Sequence, residues 1–143
     1  MRDFDRAVEW AQKNEKANYY WMKQAVCAYV ASQAFPLLKR GIRINAICPG
    51  PTDTPLAQAN KEVWLGFGAD YRKELGIEAS TPMEQAYPLL FLCSEAASGI
   101  SGVTLITDAG YMMSGITESF PSATPMARIL MGRTWAESTA WSS

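Results

Sequence analysis

The chain has 143 residues, with 13 Lys and Arg against 14 Asp and Glu, which gives a formal net charge of −1. That length supports one domain with a core built from the 48% of hydrophobic residues, and the near-neutral balance argues against nucleic-acid binding or attachment to an anionic membrane. The absence of His excludes a Ser-His-Asp triad, a Cys-His dyad and a His-ligated metal, so no metal site is expected.

Two helices are predicted at the start of the chain. Apolar residues at helical spacing predict a short amphipathic helix over residues 3–12. A longer helix is predicted over residues 19–40, with one apolar face. Pro36 is expected to kink or loosen its last turn, and Gly41 to end it.

Two short β-branched segments are predicted to form strands. Residues 42–48 (IRINAIC) predict a strand buried on both faces, and residues 103–107 (VTLIT) predict a second strand. Between them, residues 51–80 predict one or two short helices. A capping box formed by Thr81 and Glu84 then opens a helix that reaches about residue 97.

The alternation of helices and strands predicts an α/β fold with a parallel sheet. Two strands are fewer than such a sheet normally holds, so the pattern looks like the second half of a larger fold. We therefore divide the chain into residues 1–115, the α/β portion, and residues 116–143, a Ser/Thr/Pro-rich tail. An apolar patch over residues 126–131 is expected to form a short helix that docks, although a frayed tail is the favoured alternative.

The cysteines and the termini predict a cytoplasmic protein. Cys27, Cys48 and Cys93 are odd in number and widely spaced, which is typical of buried thiols in a reducing compartment. The first residues contain no apolar segment of a secretory signal. The longest strongly apolar run, residues 89–93, is far shorter than the ~20 residues that span a bilayer.

Tyr19 and Lys23 are the first candidates for chemistry. They are spaced i, i+4, so they lie one turn apart on the same face of the predicted helix. A phenol ionises near pH 10, and an ammonium group one turn away stabilises the phenolate. The pair is therefore suited to proton transfer, although an exposed Lys beside a packed Tyr is an alternative that the spacing alone leaves open.

The segments that follow make the pair more specific. These segments are residues 19–26 (YYWMKQAV), 40–47 (RGIRINAI), 49–55 (PGPTDTP), 90–94 (LFLCS) and 102–110 (GVTLITDAG). Their order and spacing resemble the C-terminal half of the short-chain dehydrogenase/reductase family, from about residue 19 to residue 115. Residues 3–10 also resemble an insertion in members close to 3α-hydroxysteroid and coniferyl-alcohol dehydrogenases.

The resemblance implies a fold and a set of roles. The fold would be the C-terminal half of a Rossmann-like, doubly wound parallel sheet, with the N-terminal half absent. Tyr19 would be the general acid/base on a substrate hydroxyl or carbonyl, and Lys23 would hold the nicotinamide ribose. The turn at Pro49 and Gly50 would approach the nicotinamide, with the Thr52 amide on its carboxamide and Thr54 on the carboxamide or phosphate. Apart from the flanking matches, the turn is also typical of a proline-stiffened strand end.

Three aromatic residues fall where the family places its mobile substrate loop. Trp64, Phe67 and Tyr71 would there favour a bulky apolar alcohol or ketone, steroid-like or aromatic. Ordinary packing of a surface helix is an equally weighted alternative. The long helix from residue 19 would take part in the family's dimer contact, so a homo-oligomer is expected, without a nucleic-acid or membrane partner.

The sequence departs from the family on the cofactor's adenosine side. No Gly-x-x-x-Gly-x-Gly turn occurs to seat a pyrophosphate, and Arg6 stands where a short spacing would place the catalytic Ser. The resemblance implies NAD or NADP, with NAD slightly favoured. We expect this chain alone to bind the cofactor weakly or not at all, and to be inactive.

Two hypotheses about function follow. In the first, the chain is a fragment of a short-chain dehydrogenase that transfers hydride between NAD(P) and an alcohol or ketone, with Tyr19 as proton relay. In the second, it is a truncated, non-catalytic remnant that serves as a dimerisation or structural module. An upstream reading frame with a Gly-rich turn would favour the first, and stable dimers of the chain alone would favour the second.

Overall fold

The computed structural model describes residues 4–16 and 18–130 of the chain. Two strands are described, β1 (Ala46–Pro49) and β2 (Thr104–Thr107). Short 3-10 turns lie at Glu95–Ala97 and Pro121–Ala123. The helices are α1 (Phe4–Lys13), α2 (Tyr19–Leu38), α3 (Pro55–Ala59), α4 (Lys61–Trp64), α5 (Ala69–Leu75), α6 (Pro82–Cys93), α7 (Tyr111–Ile116) and α8 (Thr124–Leu130).

The two strands form a parallel pair. The Ala46 amide donates to the Val103 carbonyl at 2.9 Å, and the Gly50 amide donates to the Thr107 carbonyl at 3.1 Å. From the first of these bonds to the second, the donor and the acceptor advance along the chain in the same direction and by the same number of residues. This is the register of parallel pairing. Both predicted strands are therefore confirmed.

The first strand begins later than its apolar pattern predicts. The strand starts at Ala46 and not at Ile42, because the preceding residues make irregular hydrogen bonds. The Asn45 side-chain amide donates to the Ile100 carbonyl at 2.9 Å, and its oxygen accepts from the Val103 amide at 3.2 Å. These side-chain bonds replace a regular ladder ahead of Ala46.

Burial of the strands is lower than the sequence predicts. Residues of β1 and β2 are half-buried, apart from Pro49, which is exposed. The expectation of a strand buried on both faces is therefore wrong for β1 in the described chain. A parallel sheet is normally covered on both faces, and the described elements cover this one only in part.

The contacts divide the chain into two compact units, each described by itself. Unit 1 consists of residues 1–47 and 89–105, and unit 2 of residues 48–88 and 106–143. In unit 1, Val30, Leu92 and Ala97 are buried. The described part of unit 2 has an aromatic core, in which Tyr71, Tyr111 and Ala123 are buried and Phe67 and Phe120 pack against them.

Helix α2 of unit 1 is apolar on all sides and largely exposed. Its residues include one charged side chain, Lys23, and of the whole helix only Val30 is buried. A helix that is hydrophobic all round is normally covered by neighbouring elements. No helix among the described residues is long and apolar enough to cross a membrane. The large exposed side chains of α2 are Tyr19, Tyr20, Trp21, Met22, Val26, Tyr29, Phe35 and Leu38.

The helix predicted from the capping box is confirmed at its start. The Thr81 amide donates to Glu84 Oε2 at 2.6 Å, and the Glu84 amide donates to Thr81 Oγ1 at 3.2 Å. The helix ends at Cys93, and a 3-10 turn follows it. Pro88 lies inside α6, as Pro36 lies inside α2, and both helices continue past their proline.

The C-terminal segment of unit 2 is packed up to Ala127. Ala123 and Ala127 are fully buried, so the frayed tail is not found over these residues. The predicted apolar patch over residues 126–131 lies in α8, except for Met131, which falls outside the described residues. The rest of the predicted tail, residues 132–143, is also outside them.

The cysteines are less buried than predicted. Cys27 and Cys48 are half-buried, and Cys93 is exposed. The prediction of buried thiols is therefore wrong for Cys93, the last residue of α6, which follows the buried Leu92.

Candidate functional site

Tyr19 and Lys23 lie together at the start of α2, as their spacing predicts. Asn18 caps the helix, and its side-chain oxygen accepts from the Trp21 amide at 3.2 Å. Tyr19 is therefore the first helical residue, and Lys23 follows one turn later. The Lys23 Nζ atom is 5.3 Å from the centre of the Tyr19 ring. Both side chains are exposed, so a substrate oxygen has access to the phenol.

Positive charge lies at the start of α2. The start of a helix carries the positive end of its dipole, and the Lys23 ammonium adds a full positive charge nearby. A second cation lies at the same end of the helix, where the Lys16 Nζ atom is 4.4 Å from the centre of the Trp21 ring.

The turn that follows β1 is fixed by its own hydrogen bonds in unit 2. Thr52 Oγ1 donates to the Gly50 carbonyl at 3.0 Å, and the Thr52 backbone forms an isolated parallel bridge with Ser80. Thr54 caps α3, with its hydroxyl oxygen accepting from the Ala57 amide at 3.1 Å. The structure thus brings Pro49, Gly50, Thr52 and Thr54 into one rigid turn at the carboxyl end of β1, as the sequence predicts of their position.

Gly50 has a packing reason to be glycine. A Cβ atom at this position would lie 2.9 Å from the Asp108 Cα atom and 3.0 Å from its Cβ atom. The Asp108 carboxylate in turn accepts from the amides of Gly110 and Met112, both at 2.9 Å, and so caps α7. Asp108 is therefore packed against the turn at Gly50.

Sequence reasoning assigned no role to Asp108 beyond closing the second strand. The available signal was an Asp that precedes Gly110 and a helix, which is the pattern of an N-cap. Its contact with Gly50 depends on the pairing of the two strands, and no local pattern indicates it.

The three aromatic residues of the predicted substrate loop are placed differently from one another. Trp64, at the end of α4, is 40% exposed. Phe67 is half-buried and Tyr71 is buried, and both rings contact the ring of Tyr111, with centroid distances of 5.0 and 5.4 Å. The surroundings of Phe67 and Tyr71 agree with the alternative interpretation, which is ordinary packing of a surface helix. The substrate role of all three residues stays a prediction.

Tyr111 lies near this turn and is buried. Burial raises the pKa of Tyr111 above its ordinary value, and the nearby carboxylates of Asp70 and Asp108 raise it further. The Tyr111 phenol is therefore harder to ionise than an ordinary Tyr.

A small cavity lies between the turn, α5 and the start of α7. Its volume is about 20 Å³, which holds about one water molecule and no substrate. Gly50, Tyr71 and Asp108 are among the residues that line it. Within the described ranges, no group of three or more Cys, Asp or Glu side chains is arranged to hold a metal ion.

The comparisons with known proteins identify the family. A family model described as enoyl-(acyl carrier protein) reductase matches residues 5–112. A solved oxidoreductase of the short-chain dehydrogenase/reductase family from Burkholderia thailandensis superposes with a TM-score of 0.52 and 27% identity, over 79% of this chain and 42% of that one. The chain belongs to the short-chain dehydrogenase/reductase family.

Two curated relatives in the family are oxidoreductases by name. The uncharacterized oxidoreductase YhxC of Bacillus subtilis (strain 168) is 33% identical, over 68% of this chain and 34% of the relative. A cis-4-hydroxycyclohexanecarboxylate dehydrogenase of Sinomonas cyclohexanicum is 34% identical, over 66% of this chain and 37% of the relative. The chain thus spans about a third of the length of the relatives it matches.

The comparisons confirm the fold class and leave the subtype open. The α/β, Rossmann-like fold with a parallel sheet is shared with solved members of the family, and the chain corresponds to part of that fold. The resemblance to 3α-hydroxysteroid and coniferyl-alcohol dehydrogenases stays a prediction.

Two separate parts of the described chain hold the residues that the resemblance assigns to a nicotinamide cofactor. In unit 2, the Gly50 amide donates to the Thr107 carbonyl and the Thr52 hydroxyl donates to the Gly50 carbonyl. In unit 1, the Lys23 side chain is exposed. For the pyrophosphate, by contrast, the sequence offers no Gly-rich turn. Tyr19 and Lys23 belong to unit 1 and the turn belongs to unit 2.

Proposed function

We propose that this chain carries the proton-transfer part of an NAD(P)-dependent dehydrogenase or reductase that acts on an alcohol or ketone. The observation that carries the proposal is the position of Tyr19 at the first turn of α2, with the Lys23 Nζ atom 5.3 Å from its ring centre. Membership of an oxidoreductase family and the rigid turn after β1 support it.

Each residue has a defined task in this reaction. A bound nicotinamide would supply hydride transfer to or from the substrate carbon. The Tyr19 oxygen takes the proton from the alcohol hydroxyl in oxidation and returns it to the carbonyl oxygen in reduction. Lys23 stabilises the phenolate and holds the ribose hydroxyls, and the turn at Gly50 and Thr52 orients the carboxamide.

The substrate class follows from the exposed part of the loop. Trp64 presents an apolar ring to solvent, which favours an apolar, ring-containing alcohol or ketone. The name of the Sinomonas relative specifies an alicyclic hydroxy acid, which agrees with a ring-containing substrate. The cofactor is NAD or NADP, and the groups that choose between the two are not among the matched residues of this chain.

A second candidate function is a non-catalytic module that associates through its apolar surface. Helix α2 exposes large apolar side chains along its length, and α6 exposes Met83, Tyr87 and Leu90 at helical spacing. Contiguous apolar patches of this kind mark interaction surfaces. Stable oligomers of the chain, together with no cofactor binding, would favour this candidate.

The test is a titration of the purified chain with NADH, followed by energy transfer from its five Trp residues to the nicotinamide. Saturable binding would support the enzyme proposal, and activity would then be measured with cyclic alcohols. Tyr19→Phe is expected to lower that activity by about 10²–10⁴-fold, the range for general acid/base groups.

Tyr29→Phe is the matched control, because Tyr29 lies on the same helix and is equally exposed, at 50%. It is expected to keep the activity of the unchanged chain. Equal loss in both variants would contradict the role of Tyr19. No NADH binding by a chain that circular dichroism shows to be folded would favour the non-catalytic module.

A further inference from the structure

The chain continues beyond the family match and folds back on itself. The match ends at residue 112, within α7, and α7 then packs against α8. A Cβ atom on Gly115 would lie 2.7 Å from the Ala123 carbonyl oxygen and 2.8 Å from the Ala127 Cβ atom. Both alanines are fully buried. This close packing makes α7 and α8 one rigid element of unit 2.

This rigid element contacts the buried side chain of Tyr71 in α5, and one of the contacts is the Tyr111 ring of α7, 5.4 Å away. The Tyr71 ring lies 5.1 Å from the Phe120 ring in an edge-to-face arrangement. The Tyr71 hydroxyl donates to the Ala109 carbonyl at 3.0 Å and lies 3.3 Å from Ser114 Oγ. Two of these partners, Ser114 and Phe120, come after the family match.

The segment on the other side of Tyr71 is tied together internally. The Arg72 guanidinium donates to the carbonyl of Phe67 at 2.8 Å and also to the carbonyl of Leu65. Residues 65–75 therefore move as one piece, and Gly76, with a φ of +66°, ends this piece. Leu75 and Ile77, which flank Gly76, are both exposed. The contacts of Tyr71 and Phe67 are thus the main apolar contacts that hold the segment.

We propose that Ser114 and Phe120 form a latch that holds residues 65–75 in place through Tyr71. Phe120 is then a positioning residue for the segment. The order of the segment depends in part on residues outside the family match, in addition to the contacts of Tyr111 inside it. The proposal rests on the proposed function only in calling this segment part of a substrate loop. The latch itself is a physical contact that exists with or without catalysis.

The latch predicts a local effect when the Phe120 ring is removed from the Tyr71 ring. An edge-to-face aromatic pair contributes beyond its buried area, and Phe120 provides such a pair as well as part of the cover of Tyr71. Without the Phe120 ring, residues 65–75 should open more often while the strand pairing in the rest of unit 2 persists. Local opening of this kind raises amide exchange in the affected segment alone.

The experiment is hydrogen exchange of the full 143-residue chain, compared with its Phe120→Ala variant. Exchange over residues 65–75 is expected to become about tenfold faster in the variant, with no change over β1 and β2. Tyr71→Phe keeps the ring and removes the hydroxyl, so it is expected to give a smaller increase in the same segment. Phe35→Ala, which deletes a ring that is 69% exposed, is the control and should change nothing there.

Trypsin cleavage after Lys73 provides a second readout, because Lys73 is exposed on α5. Cleavage there should accelerate in Phe120→Ala, while cleavage after the exposed Lys39, which follows α2, stays constant. Unchanged exchange and cleavage would overturn the latch. Equal acceleration across the strands and α2 would also overturn it, because Phe120 would then be a general core residue. Immediate cleavage after Lys73 in the unchanged chain would show that no latch holds in solution.

Discussion

The Arg43 guanidinium donates to the Leu92 carbonyl at 2.6 Å, although the two residues are far apart in sequence. It also donates to the carbonyls of Ser94 at 3.1 Å and Ile100 at 3.4 Å. One planar side chain thus satisfies the carbonyls at and after the end of α6, where a helix leaves its last acceptors unpaired. A cation here also complements the negative end of the helix dipole.

We expect Arg43→Ala to lower the free energy of unfolding of the chain by about 2–3 kcal/mol. The hydrogen bonds to a charged group are lost, and the part-buried carbonyls that accepted them are left without that donor. The free energy of unfolding of Arg43→Lys should lie between those of the unchanged chain and of Arg43→Ala, since a single ammonium lacks the forked geometry of Arg. Urea unfolding measures both. Arg40→Ala, an exposed control in the same unit, is expected to stay within about 0.5 kcal/mol. A similarly small effect of Arg43→Ala would contradict this role.

Gly50→Ala is expected to destabilise unit 2 by about 1–3 kcal/mol, the usual cost of overpacking. The added Cβ atom would lie 2.9 Å from the Asp108 Cα atom, so the backbone of one strand end must move. The bond from the Gly50 amide to the Thr107 carbonyl lies next to this contact and should lengthen. Thermal unfolding, with hydrogen exchange of the Gly50 amide, measures the effect.

The control for this prediction is Gly99→Ala. A Cβ atom on Gly99 meets nothing within 4 Å, so the substitution tests the general effect of replacing a glycine. It is expected to be neutral, or stabilising by up to about 1 kcal/mol through the unfolded chain. A result in which both variants behave alike would show that the contact with Asp108 has no energetic consequence.

Local patterns in the sequence predict the local features of this structure. The pairing of Tyr19 with Lys23 and the capping box of Thr81 with Glu84 both depend on residues within one helical turn. Helical geometry fixes such neighbours whatever the rest of the fold does. For the same reason the starts of α2 and α6 agree with their predictions.

Features that depend on distant residues were not predictable from local patterns. The apolar pattern places Arg43 in a strand, whereas in the structure it precedes β1 and its guanidinium bonds to carbonyls at and after the end of α6. Phe120 falls in a segment that its composition marks as a tail, yet its ring packs on Tyr71. In each case the partner is set by tertiary packing, which overrides composition and strand propensity.

The capping box predicts a stability that depends on pH. Hydrogen bonds from the Thr81 amide and, to a lesser extent, the Thr81 hydroxyl hold the pKa of the Glu84 carboxyl below its ordinary value. Between the folded pKa and the ordinary one, the unfolded chain binds more protons than the folded chain. The contribution of Glu84 to stability is therefore present above its ordinary pKa and is lost as the pH falls through the folded pKa.

Glu84→Gln should accordingly lower the melting temperature at pH 7, with a difference from the unchanged chain that shrinks as the pH falls below the ordinary pKa of Glu. Melting curves of both proteins from pH 7 to pH 3 test this expectation. Glu74→Gln is the control, because Glu74 is an exposed carboxylate of α5 outside any capping box. A difference for Glu84→Gln that stays constant over the whole range would show that ionisation of Glu84 contributes nothing to stability, and would contradict this prediction.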